Sequence, residues 1–280
     1  MKRRHSHPWL ASCWWASMAF FYLPLIIVVV FSFNSINSAT HFAGFSLRWY
    51  RQLLANEQII TAFRNSMVLA VGSSCLALVL GTLMGYGLYR HRGKRVGWLI
   101  ALIYLPIVMP DVVFGIADMS FFVQLNHWTG LFRPGLTTML LAHVTFQIPF
   151  VALLIYSRFV SLDPTLFDAA KDLYASPWKR MQLFILPSLK PSLVAGFFLA
   201  FTLSFDDFVI SFFTSGPESV TLPIYIWGAI RRGVSPEINA IGTLMIMGVV
   251  VVALGSTVAT LRAQRRHARG RVTPSTSTTP

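Results

Sequence analysis

The chain has 280 residues, of which 55% are hydrophobic and only 12% are charged, and its mean hydropathy is +0.61. About a quarter of the residues of a soluble globular domain are charged, so this composition excludes a soluble domain and indicates that lipid solvates most of the chain. The net charge of +13 fits nucleic-acid binding or basic loops beside membrane spans. Cys13 and Cys75 fall inside apolar runs, where we interpret them as small buried hydrophobic residues, not as a disulfide or a metal site.

Six apolar runs of membrane-spanning length follow one another along the chain. They predict an all-α, polytopic membrane protein with spans over about 9–33, 63–89, 97–123, 136–156, 191–213 and 238–261. The first run is longer than the core of a cleaved signal peptide, so we interpret it as an uncleaved span. Residues 1–262 are thus predicted to form one transmembrane domain. The basic tail, residues 263–280, ends in a Ser/Thr/Pro string and is predicted to be disordered.

Two shorter helical signals lie outside the centres of these runs. Leu47, Tyr50 and Leu54 recur at helical spacing beside two arginines, which predicts a short helix at the membrane surface. Ser235 and Pro236, followed by an acidic residue, have the pattern of an N-cap and a first helical turn. This pattern predicts that the helix of the sixth span begins here.

Small residues and prolines modify the second and third spans. Gly81-x-x-x-Gly85 is a small-residue pattern that lets helices approach closely, and we interpret it as a packing surface. Pro106 and Pro110 interrupt the third run, because proline lacks the backbone donor that an intact helix needs. Such breaks occur at membrane depth where they are buried in protein or line a cavity.

The distribution of basic residues predicts the orientation of the spans. Of the 23 Lys and Arg residues, 17 lie in residues 1–8, in the 90–95 loop, in the segment 158–190 or in residues 262–280. With six spans, these four segments all lie on one side of the membrane. The positive-inside rule places that side, with both termini, in the cytoplasm. The net charge is then explained without nucleic acid.

The cytoplasmic segment 163–187 reads as two short helices. Asp163 with Pro164, and then Ser176 with Pro177, each repeat the pattern of an N-cap followed by a proline in the first turn. Pro187 is predicted to stop the second helix. Apolar side chains predicted to be exposed on this charged loop are Leu166, Phe167, Tyr174, Trp178 and Phe184. They indicate either a docking surface or a surface helix that lies back on its own bundle.

The stretch DAAKDLYASPWKRMQLFILP within this loop resembles the EAA loop of ABC-importer permeases. The residues that match the family's motif are Asp168, in place of glutamate, and Ala169, Ala170, Leu186 and Pro187. The resemblance implies that the loop is a coupling helix seated in a groove of a cytoplasmic ATPase. Tyr174 stands where the family has glycine, and Phe184 where it has an aliphatic residue. A tyrosine at a left-handed turn position costs about 1 kcal/mol or more, or forces another turn geometry.

Other stretches are similar to permeases of the spermidine/putrescine type and extend the resemblance over about residues 20–261. They are GFSLRWY, LPIVMPDVV, AHVTF, LAFTLSFDDFVISFFTSGP and GVSPEINA. The resemblance implies the type I ABC-importer fold in a bacterial inner membrane and uptake of polyamines. It also implies three partners, namely an ATPase dimer that binds ATP and Mg, a second permease and an external binding protein. No stretch matches GxxxxGK[ST], so we expect no ATP site or other cofactor in this chain.

Four acidic residues fall inside apolar runs, where each costs about 2.5–3.5 kcal/mol at a helix centre and should face a cavity or a partner. They are Asp111, Asp118, Asp206 and Asp207. Helical spacing places Asp207 on one polar stripe with Ser204, Ser211 and Thr214. We therefore predict that this stripe lines the translocation pathway, with Asp207 as its leading residue. Asp206 lies about 100° away and has the alternatives of bonding to Thr202 or pairing with a neighbouring helix.

Asp111, Gly115 and Asp118 share one face of the third span, and Asp111 is a second pathway candidate. In straight helices, Asp111 would lie about 20 Å and Asp207 about 24 Å from the inner ends of their spans. Two carboxylates at similar height can replace part of the hydration of a small polycation. The alternative is structural, because either acid could cap a broken helix or pair with Arg231 or Arg232.

His143 and Gln147 form a polar pair at i, i+4 on the fourth span, which is more typical of an interhelical hydrogen bond than of a ligand site. Two rival functions stay open. One is an importer for another solute, such as a metal chelate or an organic anion. The other, from a different class, is an intramembrane enzyme that uses Asp111, Asp207 and His143. A self-sufficient secondary transporter is disfavoured, because the chain shows no internal repeat.

Overall fold

The computed structural model describes residues 8–38, 40–91, 94–163, 176, 179, 181–233 and 235–270. Within these ranges the chain is helical, and an isolated bridge between Asn34 and Phe45 is the one extended pairing. The helices are Pro8–Phe31 (α1), Arg48–Ala55 (α2), Glu57–Arg90 (α3), Lys94–Val108 (α4), Asp111–Thr129 (α5), Leu136–Ser161 (α6), Leu186–Phe205 (α7), Val209–Thr214 (α8), Leu222–Arg231 (α9) and Pro236–Gly270 (α10). The predicted all-α fold is confirmed.

Four of the described helices are long and apolar enough to cross a membrane. They are Trp9–Phe31, Glu57–Arg90, Leu136–Ser161 and Leu186–Phe205. A fifth crossing results if α4 and α5, which meet at a bend of 100°, form one span. The apolar part of α10, Pro236–Val251, is shorter. The count of six spans therefore stays a prediction.

Several predicted boundaries were wrong. The second span begins at Glu57 instead of residue 63, because its amphipathic first turns continue the helix and its acidic first residue favours the N-terminal dipole. The helix of the sixth span begins at Pro236 as predicted, but it continues to Gly270, so residues 263–270 of the expected tail are helical. Residues 271–280 lie outside the described part of the chain.

The largest correction concerns the fifth span, predicted as one helix over 191–213. A π-helical turn, Met181–Ile185, leads directly into α7, and the chain breaks at residues 206–208 before α8. Pro187 does not stop a helix but lies in the first turn of α7, where the missing backbone donor is not needed. Pro191 lies inside the same helix. The helix of this span thus begins at Leu186, five residues before the predicted start at residue 191.

Helices α3, α6 and α7 form the core of the compact unit Glu57–Gly228. Gly81 and Gly85 are buried against α6, as the small-residue pattern predicted. A Cβ atom at Gly81 would lie 2.7 Å from the Cβ atom of Val151, and one at Gly85 would lie 2.7 Å from the carbonyl oxygen of Ala152. The apolar cluster beside this contact includes Phe159 and Ile185. The helices are therefore in close backbone contact, which only glycine permits.

The second compact unit comprises residues 1–56 and 229–280, and within it α1 and α2 both pack against α10. The predicted short helix is confirmed as α2, and its position at the membrane surface stays a prediction. Its Trp49 donates a hydrogen bond from Nε1 to the carbonyl oxygen of Asn34, at 2.6 Å. The buried side chain of Asn34 bonds in turn to the carbonyl oxygens of Ser38 and His41, which orders the segment between α1 and α2.

Both cysteines are free and exposed on the surface of the chain, so the prediction that they are buried was wrong. Cys13 lies on α1 and Cys75 on α3. Apolar residues of a membrane span can face outward, because lipid solvates them as well as a protein core does.

Candidate functional site at the break in the fifth span

The break in the fifth span, residues 206–208, joins two helices through an acidic pair. The last turn of α7 closes with a hydrogen bond from the Asp206 backbone N–H to the carbonyl oxygen of Thr202, at 3.2 Å. The carboxylate of Asp207 accepts hydrogen bonds from the backbone N–H groups of Ile210, at 3.2 Å, and Ser211, at 2.8 Å. These N–H groups have no partner within the first turn of α8, so Asp207 caps that helix.

His143 on α6 lies between the two helices that the break separates. Its Nδ1 is 2.7 Å from the hydroxyl of Ser204 on α7, and its Nε2 is 3.0 Å from the hydroxyl of Ser211 on α8. The same Nε2 is 3.4 Å from Oδ2 of Asp207. His143 is 1% exposed, so these contacts form in a site that excludes bulk solvent. The predicted interhelical role of this histidine is confirmed.

The polar contacts continue across the bundle to α3. The hydroxyl of Ser73 donates to that of Ser204, at 3.2 Å, and accepts from Nε2 of Gln147, at 3.1 Å. All three residues are buried. The network thus connects α3, α6 and both halves of the fifth span. Ser73 was missed by the sequence analysis, and the available signal was its i, i+7 relation to Ser66 on the same face of α3.

The segment that follows α8 is anchored by two of the same helices. Nδ2 of Asn65 on α3 donates to the carbonyl oxygens of Glu218 and Val220, at 3.2 and 3.1 Å. The hydroxyl of Thr138 on α6 donates to the carbonyl oxygen of Thr214, at 3.1 Å. Thr214, the fourth residue of the predicted polar stripe, therefore accepts a hydrogen bond through its backbone carbonyl oxygen.

The side chains of Asp206 and Asp207 differ in their exposure to solvent. Its side chain is exposed on this chain, whereas the side chain of Asp207 is only 9% exposed. The hydroxyl of Thr202 donates to the carbonyl oxygen of Phe198, at 2.9 Å. Thr202 therefore meets Asp206 through the backbone, and its hydroxyl is used within its own helix. The exposed carboxylate and the buried one stand on adjacent residues.

The structure places the third-span candidates beside α8. Asp111 is the first residue of α5 and is exposed, and Gly115 packs so closely on α8 that a Cβ would lie 2.9 Å from the ring of Phe213. Oδ2 of Asp118 is buried with no hydrogen-bond partner among the described residues. Because α4 and α5 meet at 100°, the rise of a straight helix does not measure the depth of Asp111. Whether Asp111, Asp206, Asp207, Ser204 and Ser211 line a pathway stays a prediction.

The coupling residues are only partly described. Asp168, Ala169, Ala170 and Tyr174 lie outside the described residues. Leu186 and Pro187 form the start of α7, next to the buried Ile185 and Leu189. The guanidinium of Arg158, near the end of α6, donates two hydrogen bonds to the carbonyl oxygen of Ser188, at 3.2 and 3.3 Å. The first turn of α7, which follows the loop, is thus hydrogen-bonded to α6.

Comparison with known proteins agrees with this architecture. Residues 77–269 match the family described as the binding-protein-dependent transport system inner membrane component. The chain is 38% identical over 264 residues to the putrescine transport system permease protein PotI of Escherichia coli strain K12, covering 94% of each chain. It is 36% identical over 245 residues to the spermidine/putrescine transport system permease protein PotC of the same strain, covering 86% of this chain and 89% of the relative.

A solved structure shares the fold. It is a bacterial alginate ABC transporter in complex with a periplasmic protein bound to an alginate pentasaccharide, and it matches with a TM-score of 0.68 at 15% identity. The match covers 88% of this chain and 92% of the other. PotI and PotC are both transport permeases by name. The chain is a multi-pass membrane protein that belongs to the family of binding-protein-dependent transport system inner membrane components.

Proposed function

We propose that this chain is the permease subunit of an ATP-driven importer and, with a second permease, forms the pathway for the uptake of polyamines. The observation that carries this proposal is the similarity to a putrescine permease over 94% of both chains. The acidic residues at the break support it, because carboxylates can replace part of the hydration that a polycation loses on entering the membrane.

The proposed assembly has three further components. The chain lacks a GxxxxGK[ST] motif, so ATP and Mg bind in a separate cytoplasmic ATPase dimer. A second permease completes the pathway, and an external binding protein delivers the substrate. The complex lies in the bacterial inner membrane with both termini of this chain in the cytoplasm, as the distribution of basic residues favours.

The loop 163–187 is the proposed coupling element. Closure of the ATPase dimer moves this loop, and the loop moves the spans so that the pathway opens inward. The contact at its C-terminal end supports this role, because the hydrogen bonds from Arg158 to Ser188 link α6 to the start of α7. A displacement of the loop is then passed to the helices that carry His143 and Ser204.

The function is tested with the complex purified through a tag on this chain and reconstituted into liposomes. ATP hydrolysis and uptake are measured with putrescine, spermidine, a metal chelate and an acidic oligosaccharide, each with the copurified binding protein. Polyamines are expected to stimulate hydrolysis and to accumulate inside. Stimulation by another solute alone would assign the chain to a different importer, and copurification of no ATPase would contradict the transport proposal.

Replacing Asp168 by alanine is expected to uncouple ATP hydrolysis from uptake, because the family resemblance places this residue in the contact with the ATPase. We expect polyamine uptake to fall about tenfold or more, the effect of losing one charged hydrogen bond at an interface. Asp172→Ala is the matched control, since it removes a neighbouring acid that lies outside the motif. Equal uptake by both variants would remove Asp168 from the coupling contact.

A further inference from the structure

The imidazole of His143 is shared by the two helices that the break separates. One ring nitrogen faces Ser204, two residues before the break, and the other faces Ser211, three residues after it. No backbone hydrogen bond of a continuous helix can cross residues 206–208, because the helix stops there. The side chain of His143 on α6 therefore connects α7 to α8, where no backbone hydrogen bonds do so.

The direction of the hydrogen bonds follows from the groups at each end. The carboxylate of Asp207 accepts only, so the Nε2 atom that faces it carries a proton. In the tautomer whose one proton is on Nε2, Nδ1 accepts a hydrogen bond from the hydroxyl of Ser204. Ser204 accepts from Ser73, which accepts from Nε2 of Gln147. In this tautomer the buried hydrogen bonds all run in one direction. Each side chain donates to the next, in the order Gln147, Ser73, Ser204, His143 and Asp207.

The short helix α8 depends on such contacts. It has six residues, and a helix of this length is unstable without packing and caps. Its first N–H groups are satisfied by Asp207, and His143 holds both Asp207 and Ser211. On its other side, α8 packs on Gly115 of α5. The orientation of the acidic pair is therefore determined from α6.

We infer that His143 is a positioning residue of the transport pathway, whose imidazole joins α7 to α8 and holds Asp207 as the cap of α8. This inference rests on the proposed function. By keeping Asp207 turned inward, His143 also keeps the adjacent Asp206 turned outward, because the two side chains are set by the same short backbone segment. When the imidazole is lost, residues 206–208 are no longer held in one conformation. Fewer polyamine molecules then cross the membrane for each ATP hydrolysed.

The test uses the complete reconstituted complex and measures polyamine uptake per ATP hydrolysed at equal amounts of assembled complex. His143→Leu removes both polar contacts at similar volume. His143→Asn keeps a polar group within reach of Ser204 but is too short to reach Ser211. Both variants are expected to lower uptake per ATP about tenfold, as for one lost buried hydrogen bond. The His143→Asn variant keeps the test decisive if His143→Leu fails to assemble.

The control is a neighbouring pair of serines on α3. Ser73→Ala interrupts the hydrogen-bond chain and is expected to lower uptake per ATP severalfold. Ser74→Ala, equally buried, removes only a bond to the carbonyl oxygen of Ala70 within its own helix and should behave as wild type.

The outcomes separate the two proposals. Wild-type uptake per ATP in both His143 variants would overturn the positioning role while leaving the transport function intact. Reduced assembly with unchanged uptake per ATP would also overturn it, because His143 would then act on stability alone. Absence of polyamine uptake in the wild-type complex would contradict the proposed function itself, before any variant is compared.

Discussion

Replacing Gly85 by alanine is expected to lower the amount of folded protein at least tenfold. The added Cβ would lie 2.7 Å from the carbonyl oxygen of Ala152 and 3.1 Å from the Cβ of Ile155. The first of these neighbours is helix backbone and cannot rotate away, so α3 and α6 must move apart. Overpacking of this kind costs about 1–3 kcal/mol or more, and it would also weaken the adjacent contact between Gly81 and Val151.

The matched control is Gly87→Ala, on the same helix two residues later. A Cβ at Gly87 would meet no atom within 4 Å, so alanine should be neutral or slightly stabilising through its higher helix propensity. Thermal unfolding in detergent and the monodisperse fraction in size-exclusion chromatography compare the two variants. If Gly85→Ala is as stable as Gly87→Ala, then α3 and α6 are not in backbone contact in the folded protein.

Replacing Asp207 by alanine is expected to produce the second large effect. The variant loses the acceptors for the N–H groups of Ile210 and Ser211, and loss of a helix cap costs about 0.5–2 kcal/mol. Nε2 of His143 also loses its carboxylate neighbour inside a buried site. Because α8 has only six residues and Asp207 caps its first turn, we expect the break to reorganise and transport to be abolished.

Asp207→Asn removes the charge and keeps part of the cap. Asparagine retains one acceptor oxygen, whereas Asp207 accepts through both carboxylate oxygens, so this variant should assemble and be less destabilised than Asp207→Ala. The pathway role predicted from the sequence requires the negative charge, and on that prediction polyamine uptake falls with Asn as well. Normal uptake by Asp207→Asn would restrict Asp207 to capping. Asp206→Asn serves as the comparison, because that carboxylate is exposed on this chain.

Much of the architecture was predictable because lipid imposes a simple constraint on composition. An apolar run of about 20 residues must be helical, since helices satisfy their own backbone in lipid. This is why α1 and α6 begin within one residue of their predicted starts. The glycine pair of α3 was equally readable, because only glycine allows two helix backbones to touch.

The positions at which the spans break were less predictable from composition and helical periodicity. Pro110 marks the bend between α4 and α5, as expected of proline. The break at 206–208 carries no proline or glycine, and local propensity does not indicate it. It is stable because a capping carboxylate and a histidine from another helix replace the missing helical hydrogen bonds. Such compensation depends on groups more than 60 residues apart along the chain.

The sequence by itself determined the all-α membrane class, the polar stripe of the fifth span and the family resemblance of the loop. These are set by composition, by the helical period and by local motifs. Only the tertiary structure decided which partners the stripe meets. Helical periodicity shows that Ser204, Asp207 and Ser211 share a face, but it does not show what lies opposite. The packing of α3, α6 and α7 brings His143 and Ser73 there, and it turns Asp207 inward and Asp206 outward.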